Sequence, residues 1–202
     1  MITALRATSR TIADYLQAQF EADPALREFF AAPGTLRVYL NTPAEMATRA
    51  GLCVWLYRVE RDESTLNRPP ERVSTTLTRR VPLPVRLHYL FTPMINADED
   101  DVHETEQAIL GKVLQSFHDH PHLFGTDLRD DFEGTDGQIT LRLEGLSVDA
   151  ITGIWDALAS PYRTSISYEV TVVDIEAGVQ PEVGPPVQVP RPESGVIVGT
   201  GG

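Results

Sequence analysis

The chain has 202 residues, 42% of them apolar, a formal net charge of -12 and a pI near 4.8. That length can bury a sizeable core in one domain, and the acidity speaks against nonspecific binding to nucleic acid or anionic lipid. Cys53 is the only cysteine, which excludes an intramolecular disulfide, and no apolar run is long enough to span a membrane.

At the N-terminus no basic segment precedes a long apolar run, so no signal peptide is expected and the chain is expected to be made in the cytosol. Ile2, Leu5, Ile12, Leu16 and Phe20 predict an amphipathic helix over 2–20, with a gap in the stripe at Ser9. Asp23 and Pro24 suit the start of a short second helix through Phe30, which Pro33-Gly34 ends. Leu36, Val38 and Leu40 alternate as a short strand. Leu52–Val59 is the best candidate for a central strand, since Leu52, Val54 and Leu56 face one way and Cys53, Trp55, Tyr57 and Val59 the other. Apolar residues on both faces require cover on both, and a neighbouring subunit could supply the second. Cys53 itself is expected to be a small core residue.

Between Arg58 and Arg86 seven arginines stand against four acids, a net charge of +3 inside an acidic chain. Asn67-Arg68-Pro69-Pro70 marks a turn, and Ser74–Thr78 could extend as a hairpin arm. The segment is either a solvated loop or an arm that docks on an acidic neighbour, with Arg61, Arg68, Arg72, Arg79 and Arg80 as candidate contacts. Lys112 is the only lysine; arginine suits interfaces through its planar fork, although GC-rich coding would give the same skew. Val81–Phe91 is a strand whose Pro82 and Pro84 leave one edge unpaired, so it is an edge strand or its partner joins only after Pro84. The carboxylates at 98–101, 104 and 106 then lead into a helix over 102–118, where they complement the helix dipole. DEDD lacks the alternating ligands and glycine of a calcium loop.

From Gln138 to Ile175 the chain reads strand, helix, turn, strand. Ile139, Leu141 and Leu143 alternate with polar residues, and Ser147 is placed to cap a helix over 147–158 whose apolar face is Val148, Ile151, Ile154, Trp155 and Leu158. The last strand puts Ile166, Tyr168, Val170 and Val172 on one side. Clean alternation in four strands against three amphipathic helices predicts an α/β (α+β) domain over 1–175. It holds one mixed β-sheet of about four to six strands with helices packed on one face. Trp55, Leu87, Phe117, Trp155 and Tyr168 are its expected core. Residues 176–202 are rich in proline and glycine and predict an extended tail, in which Val196, Ile197 and Val198 could add a strand to a partner's sheet edge.

Chemistry is sparse. His118, His120 and His122 alternate in HDHPH, but a helix end there explains them and further ligands at a credible spacing are missing. His88 reads as a hydrogen-bonded structural histidine. No nucleophile elbow, zincin or phosphate-loop motif occurs, so neither cofactor nor metal is expected. A metal-dependent enzyme using HDHPH and DEDD, and a monomeric binding module using the arginine arm, remain the competing readings.

Four runs carry a family resemblance: LCVWLYRVERDESTLNR (Leu52–Arg68), RRVPLPVRLHYLFTP (Arg79–Pro93), EQAILGKVLQSFHDHP (Glu106–Pro121) and the stretch around LSVDAITGIWDALASPYRTSISYEVTVV. Together they resemble the sheath-cap, or tail terminator, proteins of phage-tail-like extracellular contractile injection systems. The resemblance implies a tail-terminator-like fold and a structural role without catalysis. It implies a ring, with about six-fold symmetry, that stops tube polymerisation and anchors the last sheath layer. The implied partners are the chain itself, an inner tube protein and a sheath protein, with no nucleic acid and no membrane. The particle would be assembled in the cytoplasm.

Overall fold

The computed structural model describes residues 3–63, 71–72, 77–79, 82–95, 102–175 and 182–183. Its helices are α1 (Ala4–Ala22), α2 (Arg27–Phe30), α3 (Val102–Asp119) and α4 (Val148–Ala157). Its strands are β1 (Arg37–Tyr39), β2 (Gly51–Arg61), β3 (Glu71–Arg72), β4 (Leu77–Arg79), β5 (Leu83–Met94), β6 (His122–Phe124), β7 (Gln138–Glu144), β8 (Ile166–Ile175) and β9 (Glu182–Val183). Six strands form one sheet in the order β1-β2-β5-β8-β7-β6, and β3-β4-β9 form a second, small sheet. In the large sheet β1 and β2 run parallel, and every other neighbouring pair is antiparallel. The architecture is the mixed α+β sheet expected from the alternation.

Helices α1 and α3 cover one face. From α1 come Ile12, Leu16 and Phe20, from α3 Ile109, Val113 and Phe117, all buried in one apolar cluster with Leu87, Tyr89, Phe91, Tyr168 and Val170 of the sheet. Phe117 sits at its centre, with ring centroids 5.7 Å from Phe91, 5.0 Å from Tyr168 and 6.0 Å from Tyr15. Each such side chain contributes roughly 1.5–3 kcal/mol on burial. The gap at Ser9 has a purpose: its hydroxyl lies 2.8 Å from the buried Tyr89 hydroxyl and donates to Leu5 O at 2.9 Å. Burial pushes the Tyr89 hydroxyl far up, so it stays a neutral phenol that requires a partner, and Ser9 is that partner.

The middle of the sheet is β5 paired with β8, whereas β2, expected at the centre, lies one place from the edge. The prolines of β5 explain how a strand that looked like an edge can be central. Pairing with β2 begins at Val85, after both prolines, with the Pro84 carbonyl accepting from the Asp62 amide at 2.9 Å, whereas on its other side β5 already pairs with β8 from Leu83. Pro93, opposite Leu52 of β2, lies beyond the Phe91–Ile166 pair at which pairing with β8 has ended. Both irregularities of register fall in β5's neighbours. In β2 the shift between Leu56 and Arg58 places Tyr57 and Arg58 together on the face away from α1 and α3. In β8 it brings Val173, not the expected Val172, opposite Val85.

The second face is covered by the chain itself at one end. The turn Pro43–Met46 lies against β2 and β5, Met46 and Cys53 are buried, and the Cys53 thiol donates to Asn41 O at 2.8 Å. No neighbouring subunit is required there. Trp55 stays half-buried on this face beside Tyr57. Helix α4 is capped by Ser147 as predicted, its Oγ accepting from Ala150 N at 3.2 Å. Its packing is lighter than its pattern suggests: Trp155 alone is buried, at 2% exposure and outside the contiguous cluster, while Val148 is 78% exposed. Trp155 stacks edge-on to Tyr162 at 6.1 Å and donates to Ser165 Oγ at 3.4 Å. The tail beyond Ile175 lies outside the described residues, Val196–Val198 included, apart from β9.

Candidate assembly surfaces

The sheet is flanked at both sides by three-residue strands. Among the described residues β1 pairs with β2 only from Gly51 to Cys53, and β6 with β7 only from Gln138 to Thr140. The outer backbone of β2 from Val54 onward and of β7 from Arg142 onward is thus without a strand partner there. Two such edges on opposite sides of one sheet suit head-to-tail contact between copies.

The arginine segment splits under the structure. Arg61 ends β2 and is exposed; Arg72 and Arg79 lie in β3 and β4, whose antiparallel register pairs Glu71 with Arg79 and Arg72 with Thr78. Arg68 and Arg80 lie outside the described residues. The turn expected at 67–70 and the first part of the expected arm, residues 74–76, lie outside the described residues. Sequence reading missed the third strand of this small sheet: β9, from the root of the tail, pairs with β4 through Leu77–Val183 and Thr78–Glu182. Two residues surrounded by proline and glycine carry no alternation that could have announced it.

On the α3 side the sheet outruns its helices. An open groove of about 560 Å³ lies between α3 and β7, lined by Leu114, Phe117, His118, Leu141, Leu143 and Tyr168. Leu143, expected on the packed face, is 53% exposed there. The HDHPH histidines do not converge. His118 belongs to the last turn of α3, His120 follows the helix with its amide on Ser116 O, and His122 opens β6 with Nδ1 3.0 Å from Thr140 Oγ1. Asp98–Asp101 lie outside the described residues.

Polar side chains do converge on the opposite face of the sheet. His88, nearly buried at the middle of β5, has Nδ1 2.9 Å from Glu144 Oε1 and Nε2 3.1 Å from Glu60 Oε2. Ser167 Oγ donates to Glu144 Oε2 at 2.6 Å and also bonds the Tyr57 hydroxyl at 3.0 Å. Arg86 holds the buried Asp62 at 2.8 Å and stands 3.7 Å from Glu169. One oxygen of Glu144, one of Glu169 and one His88 nitrogen all lie within 4.8 Å of one another, the group of possible metal ligands among the described residues. Sequence reading identified His88 as structural and missed its company. Glu60, Glu144 and Glu169 come from three other strands, and cross-strand register, not spacing, brings them together.

Comparison with known proteins bears on what these surfaces are for. A family model described as the Pvc16 N-terminal domain matches residues 7–189. No curated protein matches the sequence. Among solved structures, the sheath/tube terminator of PVC, an extracellular contractile injection system, in its extended state is similar at TM-score 0.59 and 16% identity. The match covers 100% of this chain and 64% of that one. The tube-terminating cap of the anti-feeding prophage is similar at TM-score 0.57 and 16% identity, over 95% of this chain and 60% of that one. This chain therefore spans somewhat under two thirds of either protein's length.

Proposed function

Because the chain belongs to the Pvc16 N-terminal domain family, we propose that it caps a contractile injection particle, ending the inner tube and anchoring the last layer of sheath. The observation that carries this reading is a family match over nearly the whole described fold, joined to a fold shared with two terminators. The role is structural and not enzymatic. Copies of the chain close head to tail into a ring of about six, in which one interface repeats and growth stops. The open edges of β2 and β7 support that arrangement. Its partners are itself, the tube protein and the sheath protein, and assembly takes place in the cytoplasm. No helix among the described residues is long and apolar enough to cross a membrane.

Two segments make the outward contacts in this proposal. The arm, with Arg61, Arg68, Arg72, Arg79 and Arg80, docks on an acidic neighbour, where arginine forks pair with carboxylates. The tail, residues 176–202 beyond the 1–175 domain, donates Val196-Ile197-Val198 as a strand to the sheath, through backbone bonds that demand little of side-chain sequence. The arm and the tail's root share the β3-β4-β9 sheet, which supports treating them as one contact region.

Truncation after Gly184 tests this, because it keeps β9 and removes the valine–isoleucine segment. Co-expressed with tube and sheath proteins, the truncated chain should give particles of uniform tube length whose sheath detaches or never loads. Fully sheathed, capped particles would reduce the tail to a bystander. Tubes of unregulated length with the intact chain would overturn the cap itself.

A further inference from the structure

Independently of the cap reading, the geometry points to a divalent transition-metal site, suited to Zn²⁺, formed by His88 Nδ1, Glu144 and Glu169 on the sheet face away from α1 and α3. Imidazole nitrogen with two carboxylates is a zinc set, since Mg²⁺ and Ca²⁺ favour oxygen ligands alone. Donors on one tetrahedral Zn²⁺ at bond lengths near 2.0–2.2 Å stand ~3.3 Å apart. His88 Nδ1 and Glu144 Oε1 are 2.9 Å apart, and one ligand atom from each of His88, Glu144 and Glu169 lies within 4.8 Å of the other two.

The surroundings are those of a held ligand set. Glu60 faces the other His88 nitrogen at 3.1 Å, so Nε2–H can donate to it while Nδ1 turns to the metal. Ser167 holds the second oxygen of Glu144 at 2.6 Å and leaves Oε1 free to ligate. The ligands come from β5, β7 and β8, three adjacent strands, so an ion here fastens the middle of the sheet. A polar depression lined by Glu60, Arg61, Glu63 and Arg86 opens beside the site at Glu60, the carboxylate that faces His88 Nε2. Arg86 is the opposing charge, but its shorter contacts are to Asp62, at 2.8 and 3.1 Å, against 3.7 Å to Glu169.

The test uses the full-length chain, stripped with chelator and titrated with Zn²⁺ alone by calorimetry, with Co²⁺ absorption reporting the coordination. One ion should bind per chain and raise Tm. Glu169→Gln should weaken binding by more than ~100-fold with the chain still folded. Glu60→Gln, which removes only the orienting bond, should weaken it by roughly 10–100-fold. His88→Asn should abolish it, and if that chain does not fold, Glu169→Gln decides alone. A variant with His118, His120 and His122 all changed to Asn should bind as the wild type does. No bound ion, unchanged binding in Glu169→Gln, or loss in the triple-histidine variant would each overturn the site.

Discussion

Single side chains settle two matters that composition left open. Cys53 is buried with its thiol on Asn41 O, and burial, helped by the nearby Glu45 carboxylate, pushes its pKa up to about 12. The thiolate is the reactive form, so the native chain should resist thiol reagents at pH 8 and label only on unfolding. Rapid labelling without denaturant would place Cys53 at a surface. Lys112, the sole lysine, lies on α3 with Nζ 3.0 Å from Asp23 Oδ2 at the end of α1. Its hydrogen bond, with help from nearby backbone amides, holds the Asp23 carboxyl below the usual range. A carboxylate whose folded pKa is depressed stabilises the fold above its unfolded value, near 4, and loses that contribution as pH falls through the folded value. Lys112→Met should therefore cost less than about 1 kcal/mol at neutral pH. In urea melts the difference from wild type should shrink as pH falls below about 4. A difference that persists to about pH 2 would mean that the lysine stem matters and its charge does not.

Elements were legible where they carry a period and opaque where they do not. The helices of α1, α3 and α4 and the strands β7 and β8 follow directly from their apolar spacing. The fold beyond them rests partly on short pieces: β6 and β9 are three and two residues long, and no pattern of that length stands out, although the alternation at Leu36, Val38 and Leu40 did mark β1. Alternation also overreads, since it cannot count the bulges in β2 and β8, nor say that α4 would bury one residue of its stripe. That imbalance makes α4 a test of pattern against packing. Trp155→Ala should cost roughly 3 kcal/mol, while Val148→Ser, as good a stripe residue on paper, should change stability by less than about 0.5 kcal/mol. Equal losses in a thermal melt would show that both face the core. β1 depends on a glycine: Gly51 has φ +142°, and a Cβ there would lie 1.9 Å from Arg37 O. Gly51→Ala should lose about 2 kcal/mol or more through that strain and the displaced parallel pair, read as a lower urea midpoint.

For the molecule as a whole, the sequence yielded the fold class and the family, because core patterning and long signature runs are local. The His88 cluster was hidden, because residues 60, 88, 144 and 169 meet only once the register is known. At this scale the proposed ring is directly measurable: light scattering should give a multiple of the 22.3 kDa chain mass. Changing Arg68, Arg72, Arg79 and Arg80 together to Glu should leave the domain folded while capped, uniform particles fail to form. Capped particles from that variant would make the arm a mere loop. The small sheet has a mechanical consequence as well. β4 is separated by three residues from β5, and β9 by six from β8, and β5 and β8 are paired at the centre of the large sheet. A pull on the chain beyond Val183 is thus divided. Part travels along the backbone into β8, and part crosses the β9–β4 bonds and enters β5. Both paths enter at the same end of the β5–β8 ladder, where Leu83 lies opposite Ile175, so β5 and β8 are pulled together and the load passes outward to their pairs with β2 and β7. Contraction is when a cap anchored by its tail would be pulled hardest, and the chain routes that tension into its most extensively paired strands.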